Sequence, residues 1–206
     1  MRTLPPMLLV LLLWCAGLGA AAQFGKISIL YESLRASYGG NGEVALGLVV
    51  SIVGMVGLIF GTTAGLQEKY GDHRVMDMPT AEAGMTGVVL GSALGGMRPI
   101  MVHQRMEFAL LALEQIVNQA ANWHYMFGGK SAVPFVMRML IGRGWGQGPQ
   151  HSQALHALFA HIPGLRVAMP VTPHDAKGML IEAVADNNPV IFIEHRWLHN
   201  VHGPVP

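Results

Sequence analysis

An α/β fold is what this chain predicts, a mainly parallel, doubly wound sheet with helices on both faces. Two observations lead there. From Arg74 onward short apolar runs alternate with helical patterns, which is the signature of strand–helix–strand crossovers around a parallel sheet. Glycine and proline punctuation, as at Gly95-Gly96, Gly128-Gly129 and Pro170, then separates the runs.

The elements follow in order. Val75-Met76 reads as a brief strand, Ala81 to Leu94 as a small-residue helix closed by Gly95-Gly96, and Pro99 to His103 as a strand. Glu107 to Ala121 reads as a helix, with Phe108, Leu111, Ile116 and Ala120 available for its inner face. Val133 to Met139 is the next strand, and Ser152 is placed to cap a helix running through Phe159. Val167-Ala168-Met169 forms a strand ended by Pro170, Pro173 to Ala185 a helix, and Pro189 to Glu194 a final strand. There is no internal repeat or low-complexity linker. In such folds ligands collect beyond the carboxyl ends of the strands, where the loops carrying Glu82 and His151 should emerge.

Composition bounds the function. With 51 % apolar and 12 % charged residues among 206, the chain is far greasier than a soluble domain, of which charged residues make up about a quarter. A net charge of +1 gives no nucleic-acid footprint. The single cysteine, Cys15, forms no internal disulfide, so a disulfide-stapled secreted scaffold is excluded and a reducing compartment, the cytoplasm, is expected.

The apolar excess lies at the front. The chain divides into an atypical hydrophobic region, 1–57, and a domain, 58–206. Before residue 58 only Arg2, Lys26, Glu32, Arg35 and Glu43 are charged. Met7 to Trp14 follows Arg2 and leads to Ala20-Ala21-Ala22, the layout of a secretory signal. Val44 to Gln67 has no charge and is long enough to cross a bilayer, which takes about 20 residues. Read as part of an α/β fold it is instead a buried parallel strand and a glycine-bearing loop, leading to a helix, Ala64 to Tyr70, capped by threonine hydroxyls.

Several segments bear on chemistry: Gly65-Leu66-Gln67-Glu68-Lys69-Tyr70-Gly71, Asp77-Met78-Pro79-Thr80-Ala81-Glu82, Gly96-Met97-Arg98-Pro99-Ile100, and the run Glu114 to Ala121. Gln150-His151-Ser152-Gln153, His161-Ile162-Pro163-Gly164-Leu165 and Asp175-Ala176-Lys177-Gly178 follow. On residue type alone Glu82 is a helix-start carboxylate facing the macrodipole, His151 a cap or surface residue, and Phe108 a core phenylalanine. In this order, from about Leu58 to Pro206, the segments resemble the pyrimidine-binding domain of the beta subunit of thiamin-diphosphate-dependent 2-oxoacid dehydrogenases, of the pyruvate, branched-chain and acetoin type.

The resemblance implies oxidative decarboxylation of a 2-oxoacid with acyl transfer to a lipoyl group. It makes Glu82 the carboxylate that hydrogen-bonds the aminopyrimidine ring of thiamin diphosphate, His151 the imidazole that handles protons near the reacting carbon, and Phe108 the aromatic against the pyrimidine. It implies an alpha subunit in a heterotetramer, since no Gly-Asp-Gly segment is present to hold magnesium and the diphosphate, and a lipoyl acyltransferase core as further partner. In some members a potassium ion sits on backbone carbonyls; the matching residues are Phe135, Ala183, Val184, Asp186 and Asn188. The family's C-terminal domain would begin after Pro206, and Ser51 to Gly57 carries none of the acids the family has at that point. Two other expectations stand beside this one: a non-catalytic assembly fragment of such a complex, and a membrane-anchored or exported domain.

Overall fold

The computed structural model describes residues 49–52 and 63–205, apart from 143 and 145. The signal-like segment Met7 to Trp14 and the stretch 53–62 lie outside the described residues.

All described strands lie in one compact unit, Glu43–Pro206. They are β1 (Val49–Ile52), β2 (Val75–Met78), β3 (Ile100–His103), β4 (Val136–Ile141), β5 (Arg166–Ala168) and β6 (Val190–His195). They form one sheet in the order β2-β1-β3-β4-β6-β5, with every pairing parallel. Val49–Ile52, from the uncharged run Val44 to Gln67, is therefore a strand paired on both sides, to Val75–Met78 and to Ile100–Val102. No helix among the described residues is long and apolar enough to cross a membrane.

Among the described residues five α-helices fill the crossovers: α1 (Leu66–Tyr70), α2 (Glu82–Leu94), α3 (Asn122–Met126), α4 (His156–Ala160) and α5 (Pro173–Ala185). Neighbouring residues of β3 show that both sheet faces are covered. Ile100 packs with Val136, Phe192 and Ala183 against Met179, Leu180 and Val184 of α5. Met101, one residue on and so on the opposite face, takes a hydrogen bond at its sulfur from Thr86 of α2 at 3.5 Å. The core is continuous and apolar: Val89, Leu90, Met101, Met137, Met139, Ile191 and Ile193 have no exposed surface.

Three readings are corrected. Helix α1 starts not on threonine hydroxyls but on Gly65, whose φ of 75° places it in the left-handed region with no side-chain cap. The expected helix Glu107 to Ala121 is a 3₁₀ segment (Met106–Ala112) followed by a π-helix (Glu114–Ala121) and then α3. A 3₁₀ turn takes three residues, so Met106, Ala109 and Ala112 are the fully buried ones, and Leu111 is 64 % exposed rather than inward. Ser152 caps no helix; its Oγ accepts a hydrogen bond from the Gln147 N–H at 3.2 Å, and α4 begins at His156. Helix α5 starts as expected at Pro173, with Thr172 Oγ1 accepting the Asp175 N–H at 3.1 Å.

Candidate active site

Because all strands are parallel, their carboxyl ends share one edge of the sheet. The strand order reverses at β1, which sends its successor β2 to one side while β3 returns on the other. A crevice opens at such a reversal. The β2 crossover delivers Glu82, the β3 crossover Phe108, and the β4 crossover His151 to that edge.

Glu82 is the first residue of α2 and half-buried. Four N–H groups at a helix start lack partners within the helix and carry partial positive charge, which favours a carboxylate there. Helix α2 packs directly on the 3₁₀ segment that carries Phe108. Phe108 in turn meets His151 edge-on, with ring centroids 5.3 Å apart and planes at 81°, a favourable quadrupole arrangement. Two of the three residues singled out from sequence thus touch, and the element bearing the third packs on the 3₁₀ segment that carries Phe108.

His151 closes a short 3₁₀ turn, Pro149–His151, entered through Gly148 at φ 82°. Its backbone passes so close to Gly142 that a side chain there would collide with the His151 carbonyl oxygen and crowd the Arg105 guanidinium. This is a position where a bare backbone is a steric requirement.

Sequence reasoning missed the polar groups beneath this loop. Arg105 and Glu107 are 2 % and 6 % exposed. Arg105 Nη2 donates to Gln147 Oε1, and the Gln153 N–H donates to Glu107 Oε1. Burial pushes the Arg105 guanidinium down, the Glu107 carboxylate offsets this, and Arg196 adds to the depression. Nearby, burial pushes the His103 imidazole at the end of β3 down to about 4, so it is uncharged at neutral pH. The available signal was an Arg and a Glu two residues apart in an otherwise apolar stretch after a strand.

The residues matched to potassium lie on another part of the fold, around the end of α5. Arg98 occupies this turn: its Nη1 donates to the carbonyls of Val184 at 2.8 Å and Asp186 at 2.7 Å, and its Nη2 to Asn187 Oδ1 at 2.5 Å. The Phe135 carbonyl accepts the Val190 N–H at 2.9 Å, and Asp186 Oδ1 accepts from both the N–H and Nδ2 of Asn188. A guanidinium thus holds the Val184 and Asp186 carbonyls, two of the five residues matched to potassium. Burial alone would push the Asp186 carboxyl up, but the Asn188 hydrogen bonds and Arg166, at 2.8 Å, hold it below the usual range. Among the described residues no group of three or more His, Cys, Asp or Glu side chains is placed to hold a metal ion.

The family model described as transketolase, pyrimidine binding domain, matches residues 52–200. The chain belongs to that family. This pyrimidine-binding domain is 48 % identical over 150 residues to the beta subunit of acetoin:2,6-dichlorophenolindophenol oxidoreductase of Cupriavidus necator, covering 73 % of this chain and 44 % of the relative. It is 42 % identical over 181 residues to the pyruvate dehydrogenase E1 component subunit beta of Porphyra purpurea, covering 86 % and 54 %. To the 2-oxoisovalerate dehydrogenase subunit beta of Bacillus subtilis it is 44 % identical over 155 residues, covering 75 % and 47 %. The chain thus spans about half the length of these relatives. Among solved structures, a split gene transketolase, an inactive beta4 tetramer, matches with a TM-score of 0.56 at 21 % identity, over 85 % of this chain and 51 % of that one, which speaks for the fold alone.

Proposed function

We propose that this domain serves the beta subunit of a thiamin-diphosphate-dependent 2-oxoacid dehydrogenase, in which a 2-oxoacid is oxidatively decarboxylated and its acyl group passed to lipoyl. The observation that carries the reading is the meeting of Phe108 and His151, ring centroids 5.3 Å apart, with the 3₁₀ segment of Phe108 packed on the helix that Glu82 begins. A half-buried carboxylate, an aromatic edge and an imidazole from three adjacent crossovers suit a flat, basic heterocycle with a reactive carbon nearby.

When bound, thiamin diphosphate supplies an acidic ring carbon that adds to the substrate carbonyl and accepts the electrons released as carbon dioxide leaves. The chain's residues do the rest. Glu82 shares a proton with the aminopyrimidine ring nitrogen, which requires a carboxylate held at hydrogen-bond distance. Phe108 packs the pyrimidine and, through its edge contact, orients the imidazole. His151, whose ring has one nitrogen to accept and one to donate, moves a proton to or from the substrate side. The diphosphate and its magnesium fall to an alpha subunit in a heterotetramer, and the lipoyl group to an acyltransferase core. The reading sets the domain in the cytoplasm.

The test is thiamin-diphosphate-dependent carbon dioxide release from a panel of 2-oxoacids by this chain co-expressed with an alpha subunit, with Glu82→Gln as control. Activity that disappears in the variant supports the proposal. Release no greater than from the alpha subunit alone assigns the chain to the assembly-fragment role instead.

A further inference from the structure

Four consecutive residues after β3 grip the His151 loop at four places. Arg105 donates to the Gln147 side chain, and the Met106 sulfur accepts the Leu155 N–H at 3.0 Å. Glu107 accepts the Gln153 N–H, and Phe108 abuts the His151 ring. A second tie inside the loop runs from the Gln147 N–H to Ser152 Oγ at 3.2 Å.

Removing two charged side chains from water is costly, and an apolar pair of the same volume would serve mere packing as well or better. A buried carboxylate accepting a backbone N–H nevertheless fixes that backbone more strongly than a neutral acceptor does, because charge-assisted bonds are shorter and stronger. Glu107 lies one residue from Phe108, and the N–H it holds lies two residues beyond His151. Displacing that carboxylate therefore moves both partners of the ring contact. Arg105 sits between the two ends: its guanidinium reaches Gln147 four residues before His151, and it is stabilised by the charge of Glu107.

We propose that Glu107 and Arg105 are positioning residues for His151, fixing its imidazole against Phe108 by holding the loop on either side of it. Their catalytic relevance rests on the function proposed above; the positioning itself does not.

The test uses the full, isotopically labelled 206-residue chain in the variants Glu107→Ala, Glu107→Gln and Gln147→Leu, read by nuclear magnetic resonance. The readouts are the His151 ring-proton shifts, which the Phe108 ring current displaces, and the exchange rate of the Gln153 amide. Glu107→Ala is expected to move the His151 signals toward those of a free histidine and to speed Gln153 exchange about tenfold or more, the loss expected for a hydrogen bond to a charged group. Gln147→Leu moves the His151 signals in the same direction. Glu107→Gln keeps an oxygen acceptor but loses the charge, so both readouts should fall between those of the parent and of Glu107→Ala, a graded partial rescue that a simple loss of stability would not show. Unchanged His151 signals in Glu107→Ala, in a spectrum otherwise dispersed like the parent's, overturn the proposal. Should that variant not fold, Gln147→Leu decides, since Gln147 is exposed and its replacement leaves the core intact; unmoved His151 signals there overturn it equally. None of these readouts needs turnover. An inactive parent complex with a responsive His151 sinks the function alone, and an active one with an unresponsive His151 sinks the positioning alone.

Discussion

Replacing Glu82 by glutamine leaves size and shape almost unchanged and removes the charge together with the ability to exchange a proton. In the co-expressed complex we expect Glu82→Gln to lower carbon dioxide release by about a hundredfold or more, with the circular dichroism of the chain unaltered; a loss under threefold would show that Glu82 is a helix-start carboxylate and no more. Gly142→Ala acts through space instead. Its methyl group meets the His151 carbonyl, so the loop must shift, and we expect a comparable loss of turnover together with loss of the Phe108–His151 ring-current shift. Glu82 and His151 could be singled out in the sequence because each sits in a local run whose order could be matched, and Phe108 because it lies between two such runs. Arg105 and Glu107 were not, since what makes them consequential is contact with Gln147 and Gln153, more than forty residues on, and nothing local to either segment announces the pairing.

At the level of elements, the parallel sheet was legible because each strand is an apolar run between turn residues, and α5 was legible to its first residue because Thr172 and Pro173 are a cap and a first-turn proline. The segment after β3 was misread because an inner face was sought at 3.6-residue spacing, whereas the backbone passes from three residues per turn to a π-helix. Side chains follow the wider period there: Gln119 reaches Glu114 and Asn122 reaches the Val117 carbonyl, five residues back in each case. Arg98 offers a test of a tie between elements. It joins the segment before β3 to the turn between α5 and β6, so Arg98→Met should lower stability to urea by about 2 kcal/mol, the scale of hydrogen bonds to a charged group. Adding potassium should raise the melting temperature of that variant more than that of the parent; equal responses would show that the guanidinium does not stand in for a cation.

For the molecule as a whole, acid is the informative stress. Folded His103 takes up a proton only near pH 4, whereas the unfolded chain does so near the ordinary value of 6.5. Its contribution to stability is therefore full above about pH 6.5 and is lost progressively as the pH falls toward 4. Between pH 7 and pH 5 the loss comes to about 2 kcal/mol, from ~1.4 kcal/mol per pH unit below 6.5. Urea midpoints of the parent should fall accordingly, and His103→Phe should remove that part of the slope; parallel slopes for the two proteins would rule out His103 as the cause. A carboxylate adds to the same trend. Burial would push Glu194 up, but the His199 hydrogen bond and Arg138, at 2.6 Å, hold it below the usual range, so its stabilisation too is present near neutrality and fades in acid.

The strand order also dictates how the chain must be made. Among the described residues strand β5 pairs with β6 alone, and β6 stands between it and β4. Val167 therefore has no hydrogen-bonding neighbour until Ile191 has left the ribosome, and until then the β4 edge, with Met137, Met139 and Leu140, stands open. A nascent chain halted after α5 would carry five of the six described strands and an uncovered, strongly apolar border, so its demand for a chaperone should be greatest between the emergence of α5 and that of β6 and fall when β6 slides in.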